Sequence, residues 1–516
     1  MSNLRWWETR WFVFAAMLLA AVPLLWPAIP PLTDLPGHIG RYRVMLGDAP
    51  ELNSYYAFQW RVVGNLGVDL LVAALGPWIG LEPAVKAVVI LIPVLTTGAL
   101  LWLSRELTGR VSPLALFALP LVYNYFFHFG FVNFTLAMAL ALAGWALWLR
   151  TGRLGQLRTR AALFVAIGLI VWIAHVMGWA MLCLFAFASE CVRARRAGAQ
   201  FPAMIVRAGI NCLPLAPPLV ALLLWRGGGG AGDTERFFDL AVKLKGLGSL
   251  LRDRWLVFDV ASTALLLVLI YAGARGRIGR IVPEAAVAAG LAALAFLLLP
   301  FLLMGSAYAD LRLLPYAMMV ALAGLSPAAG SAPQALRRIA LAGLAFFLLR
   351  TAATTASFAL YDRDWTRELA ALDHIPRGAR VLVLAGDTCG QPWAHSRRVH
   401  LASLAIARRG AFTNAQWRMA GAPLLTVKVQ GAGYFAHDPS QVSVPAPCAI
   451  DPNLMPQARA LAEFPRNIFT HVWLIRPHPA VSGARAGLKP LWQRGDSMLY
   501  AVDRPSSRLP QGAAAQ

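Results

Sequence analysis

Charge is what this chain has least of. Only 14% of its 516 residues are charged, and 25 acidic side chains face 47 basic ones. A water-soluble domain carries about 25% charged residues, so a soluble enzyme is excluded as a description of the whole. Lysine is rarer still, at five positions, which leaves arginine to supply most of the positive charge. The five cysteines show no CxxC spacing, so no thiolate metal site is expected. Apolar residues fill the gap: 58% of the chain is hydrophobic, mean hydropathy is +0.58, and there are 18 Trp and 25 Phe. A net charge of +22 would suggest nucleic acid in a soluble protein. Here it reads as the arginine that orients a polytopic membrane protein, with no nucleic-acid partner.

Crossing the hydrocarbon takes about 17–25 apolar residues. A first candidate runs from Trp11 to Ile29 and is read as an uncleaved helix with its N-terminus in the cytoplasm. Further apolar runs lie near 83–103, 111–128, 131–149, 161–175, 177–192, 203–225, 256–273, 282–304, 313–328 and 339–358. Residues 161–192 read either as one long helix or as two short ones hinged at His175. Arginine decides between them. Arg150, Arg153, Arg158 and Arg160 form one loop cluster, Arg193, Arg195 and Arg196 a second, Arg275, Arg277 and Arg280 a third, and Arg337 and Arg338 a fourth. Placing all four in the cytoplasm requires the hinged pair. By the same logic Leu66–Gly80 is an amphipathic surface helix and not a span, since counting it would invert every later loop. The expectation is an α-helical polytopic membrane protein of about eleven transmembrane helices over residues 1–359, with a first external loop at 30–82.

Beyond Tyr361 no stretch is long enough to cross a bilayer. Arg380–Ala385, His471–Ile475 and Ser497–Ala501 read as strands and His400–Arg409 as a helix, so 360–504 is expected to be a soluble, periplasmic α/β domain. Residues 505–516 are expected to be a disordered tail. Cys389 and Cys448 fall in that external domain and are expected to pair as a disulfide. Cys183, Cys191 and Cys212 lie in or beside spans, as small apolar residues do.

The stretch after the first span carries the most chemistry: Pro30-Pro-Leu-Thr-Asp34-Leu-Pro-Gly-His38-Ile-Gly-Arg41-Tyr-Arg43. An acid, an imidazole and two guanidinium groups at the membrane edge suit acid/base work and phosphate binding. Asp34 and His38 are the catalytic candidates and Arg41 a phosphate ligand. The plain alternative is a capped helix, with Thr33 or Asp34 preceding Leu35-Pro36. Gly227–Trp255 is a second external segment. Its basic residues, Arg236, Lys243 and Lys245 among them, lie on or beside an amphipathic pattern over Phe237–Leu251, fit either to grip a lipid phosphate or to anchor the helix at the interface. In Ser306–Tyr316, Asp310 and Arg312 are two apart and do not face each other on a helix. Arg312 is the leading phosphate clamp, with an ion pair to Asp34 or Asp310 as the competing reading. Tyr316 and His175 join it as substrate-side candidates.

The order of these features resembles the GT-C glycosyltransferase superfamily, polytopic enzymes that use polyprenyl-phosphate-linked sugars, such as protein O-mannosyltransferases and lipid A aminoarabinose transferases. There too a long first external loop starts with an Asp. The next span begins with a pattern like Gly80-Leu-Glu-Pro-Ala-Val-Lys and ends like Leu103-Ser-Arg-Glu-Leu-Thr-Gly109-Arg110. The resemblance covers residues 1–360 and implies that Asp34 is the base acting on the acceptor. One departure stands out: many members carry a second acidic motif in the next external loop, whereas Tyr123–Asn133 has no carboxylate. It leaves two readings, metal-independent chemistry or a scaffold that has lost its site.

The reading taken is an inner-membrane glycosyltransferase acting on the periplasmic face. It would move a sugar from a polyprenyl-phosphate carrier to a glycan, lipid or protein acceptor, using no cofactor, with a divalent metal left open. The rivals are a flippase of lipid-linked saccharides and a non-catalytic scaffold.

Overall fold

The computed structural model describes residues 5–226, 233–386, 393–395, 397–417, 424–437, 443–444, 455–477, 481 and 486–503. Its helices run in chain order α1 (Arg10–Leu25), α2 (Leu35–Leu46), α3 (Gly67–Ile79), α4 (Leu81–Thr108), α5 (Tyr125–Phe129), α6 (Val132–Arg153), α7 (Leu157–Ala174) and α8 (Val176–Arg196). There follow α9 (Phe201–Cys212), α10 (Pro218–Arg226), α11 (Leu240–Gly248), α12 (Leu256–Ala274), α13 (Pro283–Leu298), α14 (Leu314–Ala323), α15 (Pro333–Leu369), α16 (Leu404–Arg409) and α17 (Gln457–Glu463). Among the described residues six helices are long and apolar enough to cross a membrane: α4, α6, α7, α8, α12 and α15. Where eleven spans were expected, the other five runs form shorter pieces. Proline accounts for the plainest case: the run at 203–225 breaks at Leu213–Leu215, beside Pro214, Pro217 and Pro218, because proline removes a backbone donor and clashes with the preceding turn. The run at 111–128 differs in kind. Pro113–Tyr123 is a 3₁₀ helix buried along its whole length, and at about 2.0 Å per residue it reaches further than an α-helix of equal length.

α4 orients everything else. Its 28 residues, about 42 Å of helix, start after Gly80 and stop at Gly109, whose φ of 79° supplies the left-handed C-terminal turn. At its first turn Glu82 pairs with Arg408 of the C-terminal domain (2.7 Å). At its last turns Glu106 pairs with Arg150 (3.9 Å) and with Arg153. The other arginine clusters gather at this second end. Arg110 meets Glu8, Glu190 binds Arg160 and Arg193, and Arg196 meets Glu284. Here too the strands β2 (Gly279–Ile281) and β3 (Leu325–Pro327) pair, with Ser112 just beyond α4 donating to the Leu325 carbonyl. The C-terminal domain and the arginine-rich turns therefore occupy opposite ends of the bundle. Exposed Trp11 and Trp26 bracket α1, an arrangement suited to the two membrane interfaces.

His175 is the expected hinge. Its backbone is extended between α7 and α8, and its Nδ1 accepts the Met177 N–H (3.1 Å) as a cap. A break at membrane depth needs partners for the freed backbone groups. The first loop supplies them: Val176 N–H donates to Gly64 (2.8 Å), and Leu66 N–H donates to the Ile173 carbonyl (2.8 Å). α3 has 13 residues, too short to span, and buries only one side, as a surface helix should.

Besides the short pairs β1 (Tyr56–Phe58) with β6 (Leu425–Val427) and β7 (Ser443–Val444) with β8 (Met455–Pro456), the C-terminal domain has a five-stranded sheet in the order β10 (Leu488–Arg494), β11 (Ser497–Val502), β9 (His471–Ile475), β4 (Arg380–Ala385), β5 (Phe412–Thr413). β4 lies parallel to β9 and β5, and the β9–β11–β10 part is antiparallel. The three strands expected from short apolar runs are all present. The boundary expected at 359 falls inside a helix, because α15 continues to Leu369. Cys389, Cys448 and the tail 505–516 lie outside the described residues. Cys183, Cys191 and Cys212 are free thiols.

This domain is bolted into the membrane part. Arg397 is buried, donates to the Pro31 carbonyl (2.6 Å) and to Asp253 (2.8 Å), and lies 4.2 Å from the Tyr361 ring. Asp253 also accepts from Ser357 of α15 (2.8 Å). Breaking a buried pair by removing one partner strands the other charge and costs about 3–5 kcal/mol. Asp253→Ala is accordingly expected to lower the melting temperature in detergent by far more than Arg377→Ala, which removes an exposed pair with Glu51; equal small shifts would contradict the interlock.

Candidate functional site

Asp34 occupies the N-cap position of α2, yet its side chain makes no capping hydrogen bond. Backbone contacts fix it in place. Thr33 N–H donates to the His128 carbonyl (3.2 Å) and Asp34 N–H to the Phe129 carbonyl (2.9 Å). The turn it docks on ends at Gly130, with φ of 102°, where a Cβ would lie 2.9 Å from the Asp34 nitrogen. Both the backbone angle and the space require glycine there. Gly130→Ala is expected to displace Asp34 and cut activity at least tenfold in a transfer assay, while the exposed Gly155→Ala, equally left-handed but with open space, changes activity less than twofold.

Asp34 is buried, and its carboxylate lies 3.9 Å from His400 Nε2 of the C-terminal domain. That approach depends on Gly37 and Gly40, one turn apart on α2. A Cβ on Gly37 would strike the Trp417 ring, and one on Gly40 would meet Gln416 and the Ser403 carbonyl. Gln416 in turn donates to the Gly37 carbonyl (3.0 Å). His38 stacks on Tyr42 and tilts against Trp417. Burial above all, with Arg41 and His400 adding to it, holds its imidazole well below the usual histidine range. His38 is therefore a neutral neighbour of Asp34 at physiological pH.

Arg312 comes from a 3₁₀ turn over Leu311–Leu313 that leads into α14. It is 6% exposed, donates to the Ala307 carbonyl (2.7 Å) and lies 4.2 Å from the Phe131 ring. Among the described residues no carboxylate forms an ion pair with it. It is within electrostatic reach of Asp34 and Tyr308, and His175 feels its charge. His175 and Tyr316 flank the same Phe134 ring at 5.5 Å, and Tyr316 hydrogen-bonds Asn124. Asp34, Arg312, His175 and Tyr316 thus belong to one neighbourhood.

Three expected phosphate ligands are committed elsewhere. Arg41 pairs with Asp69 (2.6 Å), which also accepts from Asn133 (3.0 Å), so it ties α2 to α3 and α6. Lys243 donates to the Phe296 and Leu299 carbonyls and pairs with Asp310; with all three ammonium donors engaged it cannot also hold a phosphate. Asp310 is consumed in the same pair and is not the partner of Arg312. Arg236 pairs with Asp239 (2.6 Å) and sits over Phe301. The amphipathic helix, starting at Leu240 and not at Phe237, is inverted relative to a phosphate-gripping helix: Lys243 is 3% exposed while Leu244 is 70% exposed. Its apolar side faces outward, as it would toward lipid, and of its two lysines only Lys245 is exposed.

What sequence reasoning missed is the contribution of the C-terminal domain. His400 and Trp417 close over Asp34. His395 Nε2 meets the Tyr125 hydroxyl (3.0 Å), and its pKa is pushed down to about 3 by burial, with Arg252 and Arg397 adding to it. The residue types carried a weak signal: His395 and His400 are two histidines within six positions, of which only His400 lay in a stretch given a reading, the start of an expected helix. Among the described residues no group of three or more His, Cys, Asp or Glu gathers as a metal site would.

No family model matches the chain, and no curated protein matches it. Two solved structures are similar to it. One is ArnT from Cupriavidus metallidurans bound to undecaprenyl phosphate, with 13% identity, a TM-score of 0.47, and coverage of 97% of this chain and 99% of that one. The other is ArnT from the same organism in the apo state, with 12% identity, a TM-score of 0.49, and coverage of 95% and 97%.

Proposed function

We propose that the protein is a membrane glycosyltransferase that takes a sugar from a polyprenyl-phosphate carrier and gives it to a glycan, lipid or protein acceptor. The observation that carries this reading is Arg312: a buried guanidinium with no carboxylate partner among the described residues, in electrostatic reach of a buried acid. A buried cation is costly unless an anion compensates it, and a lipid-borne phosphate entering at the membrane edge is such an anion. Asp34, held in place by backbone contacts, contacts the acceptor. The carrier bond supplies the driving energy, so no nucleotide is needed.

The arginine-rich end of the bundle supports a cytoplasmic location for that end; on this reading Asp34, Arg312 and the sheet domain face the periplasm across a bacterial inner membrane. Reporter fusions test this placement. A fusion after Val502 should be active only as a periplasmic reporter, and one in the 153–157 loop only as a cytoplasmic reporter; the reverse pattern overturns the assignment. The activity itself is tested with purified protein and a polyprenyl-phosphate sugar. Free carrier phosphate together with a glycosylated acceptor is expected. Lipid relocation with no covalent product would make the protein a flippase.

A further inference from the structure

We infer that His400 is the group that takes the proton from the acceptor nucleophile, with Asp34 holding the acceptor through a neighbouring hydroxyl. The inference rests on the transferase reading and deepens it. It starts from a hydrogen bond that fixes a tautomer. His400 Nδ1 lies 3.1 Å from the Ala415 carbonyl oxygen, and a carbonyl can only accept, so Nδ1 carries the hydrogen. In the neutral ring Nε2 is then the lone-pair nitrogen, and it is this atom that faces Asp34 Oδ1 at 3.9 Å.

That separation exceeds a direct hydrogen bond, whose heavy atoms lie about 2.7–3.2 Å apart. It suits an acceptor hydroxyl about 2.8 Å from Nε2 that donates its one proton there, with a neighbouring hydroxyl of the same acceptor donating to Asp34. The arrangement is not the relay of a serine hydrolase, where the carboxylate orients the imidazole through Nδ1–H. Here the Ala415 carbonyl does the orienting, and the carboxylate stands across the reaction volume. The ring has little freedom: it is buried, packs 4.4 Å from the Trp417 ring, and shares the Ala415 carbonyl with the Ser403 hydroxyl (3.3 Å).

The chemistry favours this division of labour. A general base works best with a pKa near the working pH; an ordinary carboxylate lies near about 4, an ordinary imidazole near about 6.5. As the acceptor oxygen bonds to the anomeric carbon, its proton passes to Nε2. The bond from that carbon to the phosphate oxygen breaks, and its electron pair leaves on the carrier phosphate beside Arg312. The imidazolium then gives its proton to water, and no oxidant or reductant is needed.

The test is His400→Asn. Its amide nitrogen mimics Nδ1 and keeps the bond to Ala415, while nothing remains at the Nε2 position. The expected result is a fall in kcat of about 10²-fold, the lower end of what general-base catalysis contributes, with KM within about threefold of wild type. Transfer by the wild type should also weaken as pH is lowered from about 8 to about 5, a dependence that the variant loses. Among the described residues the titratable and charged groups facing His400 are Asp34 and His38, with Arg41 behind His38; His38 is already held neutral. His400→Asn with wild-type kcat overturns the inference, and so does a wild-type profile flat across that range, which needs no variant at all. In either case the transferase reading survives if the wild type releases carrier phosphate and Asp34→Asn releases far less. If the wild type releases none, both fall.

Discussion

Asp34→Asn is expected to cut transfer by about 10²-fold or more while leaving the protein folded, because a misplaced acceptor costs about that much in rate. The substitution keeps size and shape and removes only the charge. Losing an N-cap hydrogen bond would cost about 0.5–2 kcal/mol, but the Asp34 side chain makes none. Its position is held by backbone donation to Phe129, which Asn retains. The melting temperature in detergent should therefore stay within a few degrees of wild type while carrier-phosphate release falls. Wild-type release by Asp34→Asn would remove the acid from the mechanism, and a large drop in melting temperature would make its role structural.

Arg312→Met is the second expected large effect, and its signature is a split between activity and stability. Removing a group that offsets developing charge on a leaving phosphate costs about 10²–10³ in rate, and Arg312→Lys should restore little, because the ammonium cannot reproduce the two-pronged guanidinium contact. Stability should move the other way. Arg312 is buried and its guanidinium has no carboxylate partner among the described residues, so replacing it with an apolar chain of similar length relieves desolvation. A melting temperature equal to or above wild type, with activity lost, is the expected pair of results. Destabilisation comparable to Asp253→Ala would instead make Arg312 a structural residue.

How much of this was legible depended on the range of the signal. Long apolar runs betrayed α4, α6, α12 and α15, and the arginine bookkeeping between Arg160 and Arg193 required a hinge where His175 stands extended. Short apolar runs located β4, β9 and β11. These are local patterns, and local patterns are what a sequence displays. The 3₁₀ helix at Pro113–Tyr123 was hidden because an apolar run has the same composition in either helix type. Lys243 read as a phosphate ligand because hydropathy cannot tell which side of a short helix faces inward; its carbonyl partners lie more than fifty positions away. The site was legible only in half. Asp34 and Arg312 stood out as charges at the edges of apolar runs, whereas the cover over them came from a segment whose Arg397 reaches back 366 residues to Pro31. Nothing periodic records that contact.

Whether a buried acid and a buried arginine with no carboxylate partner among the described residues perform sugar transfer is decided by following the carrier. Wild-type protein in lipid nanodiscs is incubated with a polyprenyl-phosphate-linked sugar and a cell-envelope extract, and free carrier phosphate is quantified. The account predicts carrier phosphate in step with glycosylated product, and far less of both with Asp34→Asn and with Arg312→Met. Intact carrier-linked sugar after incubation with the wild type, or equal release by all three proteins, would contradict it.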